Sequence, residues 1–169
     1  MTARDLYIVD GYNVLHALFP SIKQAELEEK RRWLGEQLAG FAALHAASVT
    51  LVFDAHSQPR STCEQLAGTA VEVCFAGGSQ TADELIARRI AEQPADVAIV
   101  VVSADYEVQR TAARAGVRRM TPRELGAEIG IIHKKLANHE IDSRIPSTLE
   151  DKVDLETWRK LERLRREGS

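Results

Sequence analysis

Val97-Ala98-Ile99-Val100-Val101-Val102, followed at once by Ser103-Ala104-Asp105, is an apolar run with no polar interruption and an abrupt end. A strand with one wet face alternates apolar with polar residues. An unbroken run rich in Val and Ile is the mark of a strand covered on both faces, as in a parallel sheet. The run is also far too short to cross a bilayer. Three other runs end in a similar way: residues 6–9 at Asp10-Gly11, residues 49–53 at Asp54, and the alternating residues 71–75 just before Gly77-Gly78. Residues 117–120 fit a short fifth strand.

Helical patterns fill the intervals. Leu27, Leu34, Leu38, Phe41 and Leu44 fall at spacings that place them on one helical face. Thr81-Ala82-Asp83-Glu84 has the form of a capping box and opens a helix whose Leu85, Ile86 and Ile90 turn toward the sheet. Residues 106–115 form a further helix ended by Gly116, and Thr121-Pro122 starts another through Leu125, Ile129, Ile132 and Leu136. Strands and helices alternating at these lengths specify an α/β domain with a mainly parallel sheet of about five strands joined by right-handed crossovers. The expected domain covers residues 1–141. Residues 142–169 are expected to be an irregular linker and a helical arm carrying Leu155, Trp158, Leu161 and Leu164 among many charges. That arm packs back on the domain, pairs with another copy, or orders on a partner.

The 169 residues, 44% hydrophobic and 28% charged, suffice for a core that needs neither disulfide nor structural metal. A net charge of −3 excludes a protein that coats nucleic acid by bulk charge, so any nucleic-acid site is local. Basic residues do gather at Lys30, Arg31 and Arg32, along Arg110, Arg114, Arg118, Arg119 and Arg123, and near the C-terminus from Arg159 to Arg166. No signal-peptide pattern precedes Asp10, and the expected location is the cytoplasm, with no membrane partner. Cys63 and Cys74 lack a C-x-x-C pairing, and in that compartment they are expected to be reduced thiols.

In open parallel sheets ligands bind outside the carboxyl ends of the strands. That edge collects the acids: Asp10 after the first strand, Asp54 after the second, Asp83 in the first turn of the helix after the third, and Asp105 after the fourth. Each has a plain alternative: a turn pair at Asp10-Gly11, a solvated loop at Asp54, a dipole partner at Asp83 and a helix cap at Asp105. Together they repel one another unless a cation lies between them, and clustered oxygen ligands suit Mg²⁺ or Mn²⁺. Such a site suits phosphodiester chemistry, because the ion activates water and offsets charge on the departing oxygen without a protein nucleophile. No G-x-S-x-G, G-x-x-x-x-G-K-[ST] or G-x-G-x-x-G pattern offers a competing plan, and His16, His45, His56, His133 and His139 show no zinc-ligand spacing.

Taken together, Val9-Asp10-Gly11-Tyr12-Asn13-Val14, Phe53-Asp54-Ala55, Thr81-Ala82-Asp83-Glu84 and Ser103-Ala104-Asp105-Tyr106 resemble the YacP-like branch of the NYN family, within the PIN-like nucleases. The similarity extends into the tail from Arg144 and so covers nearly the whole chain. It implies a three-layer PIN-like fold, a Mg²⁺- or Mn²⁺-dependent endoribonuclease, and an association with ribosomes or translated messenger RNA. Carried over by position, Asp10, Asp83 and Asp105 match the acidic metal cluster. Asn13, Thr81 and Ser103 match its polar supporting positions, and Asp54 and Glu84 match acids beside it.

Asn13 either orients a group at the metal, and so joins the catalytic set, or caps a helix. Tyr12 either stacks on an RNA base or is a buried aromatic with a satisfied hydroxyl. The loop 55–61, with His56, Gln58 and Arg60, leaves the same edge. Arg110 and Arg114 share a helical face for RNA phosphates, and Arg118 extends that track. The rival to the nuclease is a catalytically silent RNA- or ribosome-binding module on the same fold. A phosphoaspartate phosphatase fits less well, since Asp10-Gly11-Tyr12-Asn13 lacks the second aspartate of that chemistry.

Overall fold

Parallel pairing is the organising fact. In the computed structural model, which describes residues 4–143, a six-stranded sheet has the order β3-β4-β2-β1-β5-β6. The strands are β1 (Leu6–Asp10), β2 (Ser48–Asp54), β3 (Thr62–Gln65), β4 (Val71–Ala76), β5 (Ile99–Val102) and β6 (Arg118–Met120). All pairs are parallel except β3 with β4. The helices are α1 (Gly11–Leu18), α2 (Leu27–His45), α3 (Ala82–Ala91), α4 (Tyr106–Arg114) and α5 (Pro122–Ser143). The chain divides into two compact units, Met1–Gly130 and Ile131–Ser169. The expected linker lies almost wholly, and the arm entirely, outside the described residues.

Two cores lie on the two faces of the sheet, and strand parity sorts them. Leu6 and Ile8 of β1, Val52 of β2, Cys74 and Ala76 of β4, and Val101 of β5 join Leu85 and Ile86 of α3 with Val108 and Ala112 of α4. Residues of the other parity turn to α1 and α2: Tyr7 meets the Phe41 ring edge-on at 4.9 Å, and Phe53 meets Tyr12 at 4.9 Å. This is the three-layer arrangement. Right-handed crossovers require it, since the chain moves one way from β1 to β2 and the opposite way from β4 to β5 and β6. The direction reverses between β1 and β5, the switch point where an open sheet leaves a crevice.

Three features depart from the sequence reading. The first is α1, which starts directly at Gly11. A Cβ on Gly11 would overlap the Phe53 ring, so glycine here serves close packing of the helix on β2 rather than a turn. The second is Leu44, which is exposed: Leu34, Leu38 and Phe41 hold the buried stripe, and by Leu44 the helix has rotated off it. The third is the added strand. β3 is short and wholly exposed, with no apolar pattern to announce it. It places Cys63 opposite Cys74, and the two are joined in a disulfide rather than free. The expectation of thiols fails because only cross-strand register, invisible without β3, brings those sulfurs together.

Candidate active site and metal centre

Strand parity aims the acids. Asp10 follows Leu6 and Ile8, Asp54 follows Val52, and Ser103 follows Val101, so all three fall on the side of α3 and α4. The first turns of those helices carry Asp83 and start from Asp105. Asp10 is buried, at 9% exposure. Its carboxyl is pushed up to about 6, mainly by burial and further by the charges of Asp83 and Asp105. The Ser103 hydroxyl opposes this by donating to Asp10 Oδ2 at 3.0 Å. The Asn13 backbone amide also lowers it, without closing a capping hydrogen bond. Asp83 is likewise raised, by burial first and then by Asp105, Asp54, Glu107 and Glu84. Asp105 acts on both Asp10 and Asp83, and Asp83 acts on Asp10, so these carboxylates face a common space.

The supporting residues knit that edge together. Ser103 Oγ both donates to Asp10 and accepts from the Asp105 backbone N–H at 3.0 Å, so one buried hydroxyl fixes the β5 exit against β1. Asn13 Oδ1 accepts from the Ala104 N–H at 2.7 Å and ties α1 to the same loop. Asp105 Oδ1 caps α4 through the amides of Glu107 and Val108, at 2.9 and 3.3 Å. Asp54 Oδ1 accepts from the Ala82 N–H at 2.8 Å, and Thr81 with Glu84 closes a reciprocal capping box at the start of α3. Asp54, Thr81 and Glu84 therefore position α3, while Asp83, with no hydrogen bond to any of the described residues, faces the other acids.

Among the described residues, no three carboxylates approach within direct-ligand reach of one another. The set nevertheless fits a hard dication. Its donors are oxygens, Asp10 is buried beside like charges, and Mg²⁺ keeps much of its water and so tolerates wider spacing. The one closely grouped trio, Cys63, Glu72 and Cys74, is not a metal site: its sulfurs are bonded to each other, and Arg89 Nη2 pairs with Glu72 at 2.9 Å.

The proposed RNA contacts are scattered. Tyr12 is half-buried, with its hydroxyl accepting from Arg31 at 2.8 Å, which matches the packed-aromatic alternative. Arg110 stands one turn into α4 and pairs loosely with Glu107 at 3.8 Å. Arg114 is the last residue of α4, about 12 Å beyond Tyr106 at the helical rise, and so is remote from the acids. Arg118 pairs at 3.5 Å with Asp5, which precedes β1, and the structure thus places it at the opposite edge of the sheet from Asp10. Loop 55–61 does reach the site's flank: Gly78 N donates to Gln58 O at 2.8 Å, and Ser61 Oγ accepts from Gly77 N at 3.0 Å.

Two residues received no role from the sequence. Glu107 faces Asp83 closely enough to raise its pKa, and its place two residues after an N-cap aspartate was a usable signal. Tyr106, at 73% exposure, is the most exposed large aromatic or aliphatic side chain among the described residues and directly follows Asp105.

The comparisons agree with this architecture. The family described as the YacP-like NYN domain matches residues 7–166. The crystal structure of Rae1 (YacP) from Bacillus subtilis is similar with a TM-score of 0.69 and 29% identity, over 96% of this chain and 95% of that one. A point mutant of the same protein gives a TM-score of 0.68 and 31% identity, over 83% of this chain and 86% of that one. Among curated proteins none matches.

Proposed function

The chain belongs to the YacP-like NYN domain family, and from that premise we propose that it is a Mg²⁺- or Mn²⁺-dependent endoribonuclease acting on messenger RNA, with the ribosome as a partner. The observation that carries the reading is the burial of Asp10 beside the charges of Asp83 and Asp105, with Asp105 raising Asp83 as well. A fold retains such repulsion at little benefit to stability, and a bound cation turns it into affinity. Asp10, Asp83 and Asp105 would hold the ion. When bound, it supplies an activated water and charge compensation on the phosphodiester.

The chain's own groups do the rest. Ser103 holds the Asp10 carboxylate in one orientation by donating to Oδ2, and its second contact sets the distance from β1 to the α4 cap. Asn13 fixes the Ala104 backbone between them, a positioning role rather than contact with substrate. Asp54 and the Thr81–Glu84 box hold the first turn of α3, and Asp83 with it, at the common space. No helix among the described residues is long and apolar enough to cross a membrane.

The test is cleavage of labelled RNA, alone and on translating ribosomes, with Mg²⁺ or Mn²⁺ against EDTA. Asp10→Asn and Asp105→Asn should each abolish divalent-dependent cutting with unchanged circular dichroism. Near-wild-type turnover of either variant at saturating metal removes that residue from the cluster. If the wild type binds RNA but cuts in no arm, the silent binding module takes the place of the nuclease.

A further inference from the structure

The outward side of α4 is the least explained surface of the molecule. Val108 and Ala112 are buried against the sheet, so residues two positions away point to solvent: Tyr106, Arg110 and Arg114, each one turn apart. They form a ridge that starts beside Asp105 and climbs about 6 Å per step at the helical rise. Nothing in the fold uses Tyr106. Its ring is 73% exposed and its hydroxyl has no hydrogen-bond partner among the described residues, while Tyr7 and Tyr12 are both packed against other rings. Among the described residues Arg110 pairs only with the Glu107 carboxylate, at 3.8 Å with both side chains well exposed, a contact that a phosphate displaces at little cost.

We propose that this ridge is the single-strand track of the site: Tyr106 stacks on the base flanking the scissile phosphate, and Arg110 holds the next phosphate outward. The inference rests on the nuclease reading and narrows its substrate to unpaired RNA. A base inside a duplex presents no free face to a side chain, whereas an unpaired base stacks on an aromatic ring without sequence preference. Charge order along the ridge agrees with a strand running outward. Asp105 and Glu107 at its base repel phosphate, so the first cation that backbone meets along α4 is Arg110. Arg114, exposed at the far end of the ridge, takes the phosphate after that.

The test uses the full chain in Mg²⁺ with a fluorescently labelled single-stranded oligoadenylate, in an Asp83→Asn background so that the probe stays intact. Tyr106→Ala should weaken binding about ten-fold, within the range for loss of one stacked base. Tyr106→Phe should bind within about two-fold of the parent, since the ring and not the hydroxyl does the work. Arg110→Ala should lower the slope of log affinity against log salt by about 0.7, while Tyr106→Ala leaves that slope unchanged. An abasic scan adds a positional readout: one abasic site should weaken the parent and leave Tyr106→Ala indifferent. Equal binding by Tyr106→Ala and the parent overturns the proposal, as does failure of Phe to rescue or an abasic penalty shared by both proteins. Because these measurements read binding alone, absence of cleavage by the wild type would count against the nuclease and leave the track standing.

Discussion

Asp10 is the residue at which stability and the proposed chemistry oppose each other. Its folded pKa, about 6, lies above the ordinary 3.8, so the folded state holds a proton that the unfolded chain has already released. For this group, therefore, stability is highest below about pH 4, falls as pH rises toward 6, and stays low beyond it. The gap corresponds to about 3 kcal/mol. In EDTA, Asp10→Asn should raise the melting temperature at pH 7 and leave it nearly unchanged or slightly lower at pH 4. A fall in melting temperature at pH 7 would show that the bond from Ser103 outweighs the burial of charge. Metal affinity should weaken as pH drops through 6, since ion and proton compete for the same oxygen. Asp10, Asp54 and Asp105 were legible because apolar runs stop dead at or just before them. The Ser103 bridge was not, since it depends on which β5 position faces Asp10.

At the scale of elements, the turn between β4 and α3 is the most constrained. A Cβ on Gly77 would stand 2.6 Å from the Arg60 carbonyl oxygen and 3.0 Å from that of Gln58, backbone atoms with nowhere to go. Gly78 adds a left-handed φ of 66° against Pro59. Gly77→Ala should thus cost about 1–3 kcal/mol by overpacking, measured by urea unfolding, and should reduce cleavage further by shifting loop 55–61 against α3. A variant with wild-type stability would mean that the loop moves aside freely. In the sequence, Gly77-Gly78 was legible only as a stop, because what it stops against lies some twenty residues earlier in the chain. The α3 capping box was fully legible, since all its partners lie within one turn. The α1 helix was hidden by its own first residue, a glycine that usually signals a break.

For the molecule as a whole, the alternation of strands and helices specified the parallel sheet and the edge where its acids gather, because both follow from chain direction alone. Direction along the sheet was less accessible. Arg118 looks contiguous with Arg110 and Arg114 in the sequence, yet α4 descends from the acidic edge while β6 climbs back toward it, and Arg118 reaches Asp5. Helix and strand polarity scatter what sequence spacing groups.

The small strand β3 has a consequence for how copies of this protein keep apart. Without it, β4 would be an edge strand, and its sequence, Val71-Glu72-Val73-Cys74-Phe75-Ala76, is what adhesive edges look like: mostly apolar, β-branched or aromatic, and free of proline. β3 covers that row of amides with four polar or small residues, and the Cys63–Cys74 bond, closing a separation of 11 residues, fastens the cover. Cutting the bond should cost about 3 kcal/mol by the chain-entropy account. A reductant, or Cys63→Ser with Cys74→Ser, should lower the melting temperature and produce concentration-dependent light scattering on mild warming that the oxidised protein lacks. Equal scattering from both forms would mean that β3 holds by its backbone hydrogen bonds alone. In the first case, the thiol balance of its surroundings would decide whether the β4 edge stays covered or pairs edge to edge with another chain.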